Sequence, residues 1–215
     1  MGLIDTCAVS IESKGPKLEG ALHLPEQTPA PGIVVCHPHP LYGGDMRNNV
    51  VDAICDMAVA EGIAALRFNF RGAGGSEGHH DRGIGGQDDV RAALAFLRAS
   101  PGIDAERVAL AGYSFGAAVA LQAADDRLSA FIAVSLPTSM PLKDIRLACP
   151  ALFISGDEDE YSDAGELTRL VRGLGSKAEL KLLPGLGHFW FGVERDLQAI
   201  ISPFLRAHLL GVAST

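Results

Sequence analysis

From Gly32 onward the sequence alternates short apolar runs, most of them bounded by glycine or proline, with longer segments of helical spacing. Two of the runs, Ile33-Val34-Val35-Cys36 and Val108-Ala109-Leu110-Ala111, are apolar at every position instead of every second one. A strand with two apolar faces must be covered on both, as parallel strands joined by crossover helices are. Strands are expected at 6–12, 18–24, 32–37, 64–70, 107–112, 130–136, 150–155 and 178–183, each bounded or patterned as strands are. Helical spacing covers Asn49–Ala60, Gln87–Ala99, Phe115–Ala124, Ala164–Leu174 and Val193–Leu209. The first two strands alternate more strictly and are separated by Ser13-Lys14-Gly15-Pro16, which predicts an antiparallel hairpin at one edge. The chain is therefore expected to be of the α/β class, with an open, mostly parallel sheet of about eight strands flanked by helices. One domain spanning 1–215 is expected, because no linker-like stretch divides it.

Composition narrows the partners. Hydrophobic residues make up 47% of the chain and charged residues 20%, which is enough apolar material for a substantial core. The net charge is −8 and no basic run interrupts the acidic excess, so nucleic acid and anionic membrane are poor partners. A small molecule is the better one, bound by a monomer or small homo-oligomer. Cys7, Cys36, Cys55 and Cys149 lie far apart and form no paired motif, so they read as reduced, mostly buried residues of a cytoplasmic protein rather than a zinc site or disulfide framework. No signal-like start is visible, and no apolar run approaches the roughly 20 residues needed to span a bilayer. Gly2 and Thr6 fit the loose myristoylation pattern, but that stretch reads as the approach to the first strand.

In open α/β sheets, ligands and reactive groups gather beyond the carboxyl ends of the strands. The fifth strand ends in Gly112-Tyr113-Ser114-Phe115-Gly116 and runs directly into an Ala-rich helix, a G-x-S-x-G turn in its strand-to-helix setting. A serine on so sharp a turn needs small neighbours, and the following helix aims free N–H groups at the point where an oxyanion would form. The bland reading of the pentapeptide is a tight turn with a serine cap. A nucleophilic serine needs a base, and the base an orienting carboxylate. The seventh strand opens into Gly156-Asp157-Glu158-Asp159, and the eighth leads through Pro184-Gly185-Leu186-Gly187 to His188. The order serine, acid, histidine is that of α/β-hydrolases.

With these residues the sequence resembles the α/β-hydrolase superfamily, and within it the small, lid-poor, dienelactone-hydrolase-like bacterial hydrolases. The resemblance covers nearly the whole chain. It also rests on His37-Pro38-His39-Pro40-Leu41-Tyr42-Gly43-Gly44 after the third strand and Asn69-Phe70-Arg71-Gly72-Ala73-Gly74-Gly75-Ser76 after the fourth. It implies a serine carboxylesterase without a cofactor, with Ser114, His188 and Asp159 as the catalytic residues. In the superfamily the acid stands three positions after the loop glycine, which favours Asp159 over Asp157. Dienelactone hydrolase itself has a cysteine nucleophile where this chain has Ser114, and the difference points toward general ester hydrolysis.

The oxyanion hole is expected to combine the Phe115 N–H with one from the loop after the third strand. Pro38 and Pro40 cannot donate, which leaves His39, Leu41 or Tyr42, with Leu41 favoured. His39, Tyr42 and Trp190 are expected at the substrate pocket. His37 and His39 lack a companion ligand cluster, so no metal is expected. His79 and His80 read as solvent-exposed, and Arg71 as a structural loop arginine. Between the sixth and seventh strands, Pro137 to Ala148 is too short for a helical cap. An open, shallow pocket for short acyl esters is therefore expected. Peptidase, thioesterase, lactonase and acyltransferase chemistries would use the same three residues, and a non-catalytic ligand-binding protein could keep the fold.

Overall fold

The computed structural model describes residues 5–142 and 145–212, so Gly2 of the myristoylation pattern lies outside the described residues. All eight expected strands form: β1 (Asp5–Glu12), β2 (Lys17–Leu24), β3 (Ala30–Cys36), β4 (Ala64–Phe68), β5 (Ile103–Tyr113), β6 (Ala130–Val134), β7 (Ala151–Gly156) and β8 (Ala178–Leu183). They make one sheet in the order β1-β2-β4-β3-β5-β6-β7-β8. β2 is antiparallel to both of its neighbours, and every pairing from β4 to β8 is parallel. The edge hairpin has the expected turn, with Glu12 opposite Lys17 and the Ser13 N–H donating to the Pro16 carbonyl at 3.0 Å.

Among the described residues, five α-helices cover the sheet: α1 (Asn49–Ala60), α2 (Gly86–Ala99), α3 (Phe115–Ala123), α4 (Ala164–Leu174) and α5 (Glu194–Leu205). The continuous apolar runs divide between the two faces residue by residue, because successive side chains of a strand point opposite ways. On β3, Val34 and Cys36 join a core with α2, α3 and α4, while Ile33 and Val35 join a second core with α1 and α5. β5 repeats the division, with Val108 and Leu110 on one side and Ala109, Ala111 and Tyr113 on the other.

Most boundaries fall within two residues of the sequence expectation, and two differ by four. β5 starts at Ile103, before its fully apolar part, because Ala30 pairs with Ile103 across an irregularity ahead of the Gly32–Val108 register. The last helix was expected to run on to Leu209 as one α-helix. Instead Pro203, which offers no N–H, lies in its last turn, and Arg206–Leu210 continues with wider π-helical spacing to Gly211. Among the described residues, no helix lies between β6 and β7, and no helix is long and apolar enough to cross a membrane.

Candidate active site

The turn between β5 and α3 is shaped by close contacts. Ser114 has φ 54° and ψ −123°, a conformation L residues rarely adopt. Its N–H still donates to the Val134 carbonyl at 2.9 Å, continuing the β5–β6 ladder by one step, while its own carbonyl accepts from the N–H groups of Ala117 and Ala118. A Cβ at position 112 would stand 2.5 Å from the Gly116 carbonyl oxygen, and one at position 116 only 2.4 Å from that of His37. The two glycines let α3 start directly against the ends of β5 and β3, and the serine between them is the residue thrown outward.

Three loops then converge. Ser114 Oγ lies 2.9 Å from His188 Nε2, and His188 Nδ1 lies 2.8 and 3.0 Å from the two carboxylate oxygens of Asp159. Asp157 is elsewhere: its Oδ1 accepts the Gly185 N–H at 2.7 Å and so ties the acid loop to the histidine loop. The Glu158 N–H reinforces that tie by donating to the Leu186 carbonyl at 3.1 Å. Asp159 and His188 are both buried. Burial works against the Asp159 carboxylate, but hydrogen bonding from His188, its charge, the Tyr161 N–H and the Ser135 hydroxyl outweigh it and hold the pKa below the ordinary carboxylate value. The Ser155 hydroxyl adds a bond to Asp159 Oδ2 at 3.2 Å, and the Ser162 N–H one to Oδ1 at 3.1 Å.

Several of these supports carry no sequence signature. Tyr113 stacks on the His188 ring at 5.6 Å and donates its hydroxyl to the His188 carbonyl at 3.0 Å. Burial and the charge of Asp159 push the Tyr113 phenol above its ordinary pKa, so it stays a donor. Ser135, fully buried with φ 47°, accepts the Trp190 indole N–H at 3.1 Å. Tyr161 packs its ring 4.7 Å from that of His188.

The loop after β3 removes two of the three oxyanion candidates, the favoured Leu41 among them. Pro40–Tyr42 forms a 3₁₀ turn capped by His39, whose Nδ1 accepts the Leu41 N–H at 3.2 Å. Leu41 is thus not an oxyanion donor: its N–H is committed to the cap, and its side chain is exposed. The Tyr42 N–H is likewise turned back, onto the His39 carbonyl at 3.1 Å. Of the three candidates, His39 remains. His37 anchors this loop: its Nδ1 stands 2.6 Å from the Pro38 carbonyl, and its Nε2 accepts the Phe70 N–H at 3.0 Å, which fixes a neutral tautomer. Burial drives its pKa down to about 4.

The cavity above Ser114 has a volume of about 590 Å³ and is bordered by His39, Tyr42, Phe115, Tyr161, Phe189 and Phe191, among others. That is room enough for a small organic substrate. Trp190 is not among its walls. It is wholly buried in the core beneath the site, on the side of α1 and α5, which corrects its expected place at the pocket. His80 is also less free than expected, since its ring lies 4.7 Å from that of His39 and 5.3 Å from that of Phe115. Arg71 meets the structural reading: its Nε and Nη2 grip the buried Asp89 carboxylate at 3.0 and 2.7 Å. Among the described residues, no group of three or more His, Cys, Asp or Glu side chains could hold a metal ion.

The family model for the dienelactone hydrolase family matches residues 18–200. The chain belongs to that family. An uncharacterized protein of Rickettsia prowazekii is 33% identical over 201 residues, covering 88% of this chain and 84% of its own. Among solved structures, a lid-less α/β serine hydrolase from Xanthomonas campestris superposes with a TM-score of 0.82 at 30% identity, covering 98% of this chain and 96% of that one. An α/β serine hydrolase homologue from Coxiella burnetii gives 0.81 at 29% identity, covering 94% and 98%. Family and fold together make the protein an α/β-hydrolase, with no cap helix between β6 and β7 among the described residues, and an enzyme of the hydrolase class.

Proposed function

We propose that the protein is a serine carboxylesterase in which Ser114, His188 and Asp159 act as a catalytic triad. The observation that carries the reading is the chain of contacts from Ser114 Oγ through His188 to Asp159, with its open end on a strained turn facing the cavity. His188 Nε2 takes the hydroxyl proton as Ser114 Oγ attacks the ester carbonyl. Asp159, held ionised by its donors, keeps the Nδ1–H tautomer in place and stabilises the imidazolium. The N–H groups of Phe115 and His39 stabilise the oxyanion. His188 then protonates the departing alcohol, and water activated by the same nitrogen releases the acid. No step calls for a cofactor. The absence of a helix between β6 and β7 among the described residues favours short-acyl, freely diffusing esters over emulsified long-chain ones.

The test is hydrolysis of p-nitrophenyl esters from acetate to palmitate by wild type and Ser114→Ala, with fluorophosphonate labelling beside it. Labelling of Ser114 and activity that peaks at acetate or butyrate are expected. Palmitate turned over faster than butyrate would overturn the short-acyl part, and undiminished labelling of Ser114→Ala would remove the serine from its role.

A further inference from the structure

Beside the expected nucleophile the chain exposes two aromatic rings that a folded protein ordinarily hides. Phe189 is 58% exposed and Phe191 73%, and their rings stack at 6.2 Å with an interplanar angle of 17°. This is not loose chain. Trp190 between them is wholly buried and pinned by its indole N–H to Ser135, so its neighbours on either side are directed outward. The platform is thus pre-built, and a ligand that covers it loses little ordering entropy.

Its position says which part of a substrate it meets. In acyl transfer by a serine the leaving alcohol departs beside the base, because that is where it collects its proton. The Phe189 ring lies 5.5 Å from the His188 ring, and both phenylalanines border the cavity. The platform therefore stands on the leaving-group side. Among the described residues, no Asp, Glu, Lys or Arg borders the cavity, and the chain carries a net charge of −8. A carboxylate on the leaving group would find no counter-ion and would meet a repulsive field.

We infer that Phe189 and Phe191 form a binding platform for an uncharged aromatic leaving group, making the natural substrates esters of arylmethyl-type alcohols. The inference rests on the carboxylesterase reading above and names the substrate class of that same site. The acylation step balances by itself, and water then hydrolyses the acyl-Ser114 ester to free the acid and restore the serine. The Ser114 Oγ–carbonyl carbon bond forms and the bond from that carbon to the alkoxy oxygen breaks. The proton moves from Ser114 to His188 Nε2 and on to the departing oxygen, giving a neutral alcohol.

The test compares kcat/KM for the methyl, cyclohexylmethyl, benzyl and 4-carboxybenzyl esters of one short acid. The acyl enzyme is common to all four, and methyl, cyclohexylmethyl and benzyl alkoxides are of similar basicity, so their differences report on leaving-group binding. Benzyl is expected to exceed cyclohexylmethyl, which has similar bulk but no π face, by about fivefold to tenfold, the scale of aromatic pairing. 4-Carboxybenzyl should fall below benzyl. In Phe191→Ala the benzyl to cyclohexylmethyl ratio should collapse toward one, and in Phe191→Tyr it should return. Equal rates for benzyl and cyclohexylmethyl esters, or a ratio unchanged in Phe191→Ala, would overturn the platform while leaving the esterase reading in place. Failure of wild type to cleave any of the four, together with no fluorophosphonate labelling, would instead remove the esterase reading and the platform with it.

Discussion

Two neighbouring strands, β5 and β6, each hand over to a serine with positive φ, 54° at Ser114 and 47° at Ser135. Both serines extend the parallel ladder by one N–H: Ser114 to the Val134 carbonyl at 2.9 Å, and Ser135 to that of Ile154 at 2.8 Å. Beyond the two serines the backbone takes different courses. After Ser114 a helix begins at once, and its close approach to β3 and β5 leaves no room for a side chain at positions 112 and 116. After Ser135 the chain leaves through Leu136 and Pro137, and no glycine is needed. One hydroxyl is lifted to the cavity and His188, and the other is buried between Trp190 and Asp159. The same backbone distortion therefore serves two ends of one site: in the proposed triad it would present the nucleophile at β5, and at β6 it places a hydroxyl that helps hold the Asp159 pKa down.

The comparison breaks most sharply at the hydroxyls themselves. Ser114→Ala should lower kcat by several orders of magnitude, on the order of 10⁶, with the far-ultraviolet circular dichroism unchanged. Ser135→Ala should lower kcat/KM only about tenfold, the size of one lost buried hydrogen bond at about 1.4 kcal/mol. Equal losses in steady-state assays would mean that the two strand ends do not divide the work in this way.

The β5 end also leans on β3, which the β6 end does not. Gly116→Ala would press a Cβ against the backbone oxygens of Cys36 and His37, and a cost of about 3 kcal/mol is expected in urea unfolding. His37 supports the same junction and makes it acid-sensitive. Its folded pKa of about 4 is below the ordinary histidine value of 6.5, so the unfolded chain takes up a proton first as pH falls. Stability is therefore full above about pH 6.5 and declines between there and about pH 4, by about 3 kcal/mol at 1.36 kcal/mol per unit. His37→Asn should lose that share of the decline, read as the difference between the two unfolding profiles from pH 7 to pH 4. Parallel profiles would mean that His37 titrates normally in the folded protein.

The same contrast explains what could be read from the sequence. Strand runs apolar on both faces reported the sheet, and Gly112 and Gly116 reported the nucleophile turn, because steric exclusion leaves a residue-type signature. Ser135 left none, since a buried serine after an apolar strand satisfies no rule that a valine or alanine breaks. Eliminating the prolines from the oxyanion loop leaves His39, Leu41 and Tyr42 without deciding among them. Pro40 fits the first position of a helical turn, but histidine is not among the usual capping residues, so nothing in the residue types shows that His39 Nδ1 takes the Leu41 N–H. For Trp190, the run Phe189-Trp190-Phe191 shows only that rings are near His188. Which ring turns inward is settled by a partner for the indole N–H, and that partner, Ser135, lies 55 residues away.

The smallest effect separates backbone from hydroxyl at β6. Ser135→Gly and Ser135→Ala both remove the oxygen that accepts from Trp190 and helps hold the Asp159 pKa down, so both should show the same loss of about tenfold in kcat/KM. They differ in the left-handed backbone. Alanine keeps a Cβ where φ is 47°, a strain of roughly 1–3 kcal/mol. Glycine removes that strain but gives back about 0.5–1 kcal/mol through the greater freedom of its unfolded chain. Ser135→Gly should therefore be the more stable of the two by about 1 kcal/mol in urea unfolding. An alanine variant as stable as the glycine one would show that the turn at β6 carries no strain, leaving Ser114 as the sole strained serine of the pair. A glycine variant with full activity would show that backbone shape, rather than the hydroxyl, is what this strand end contributes to Asp159.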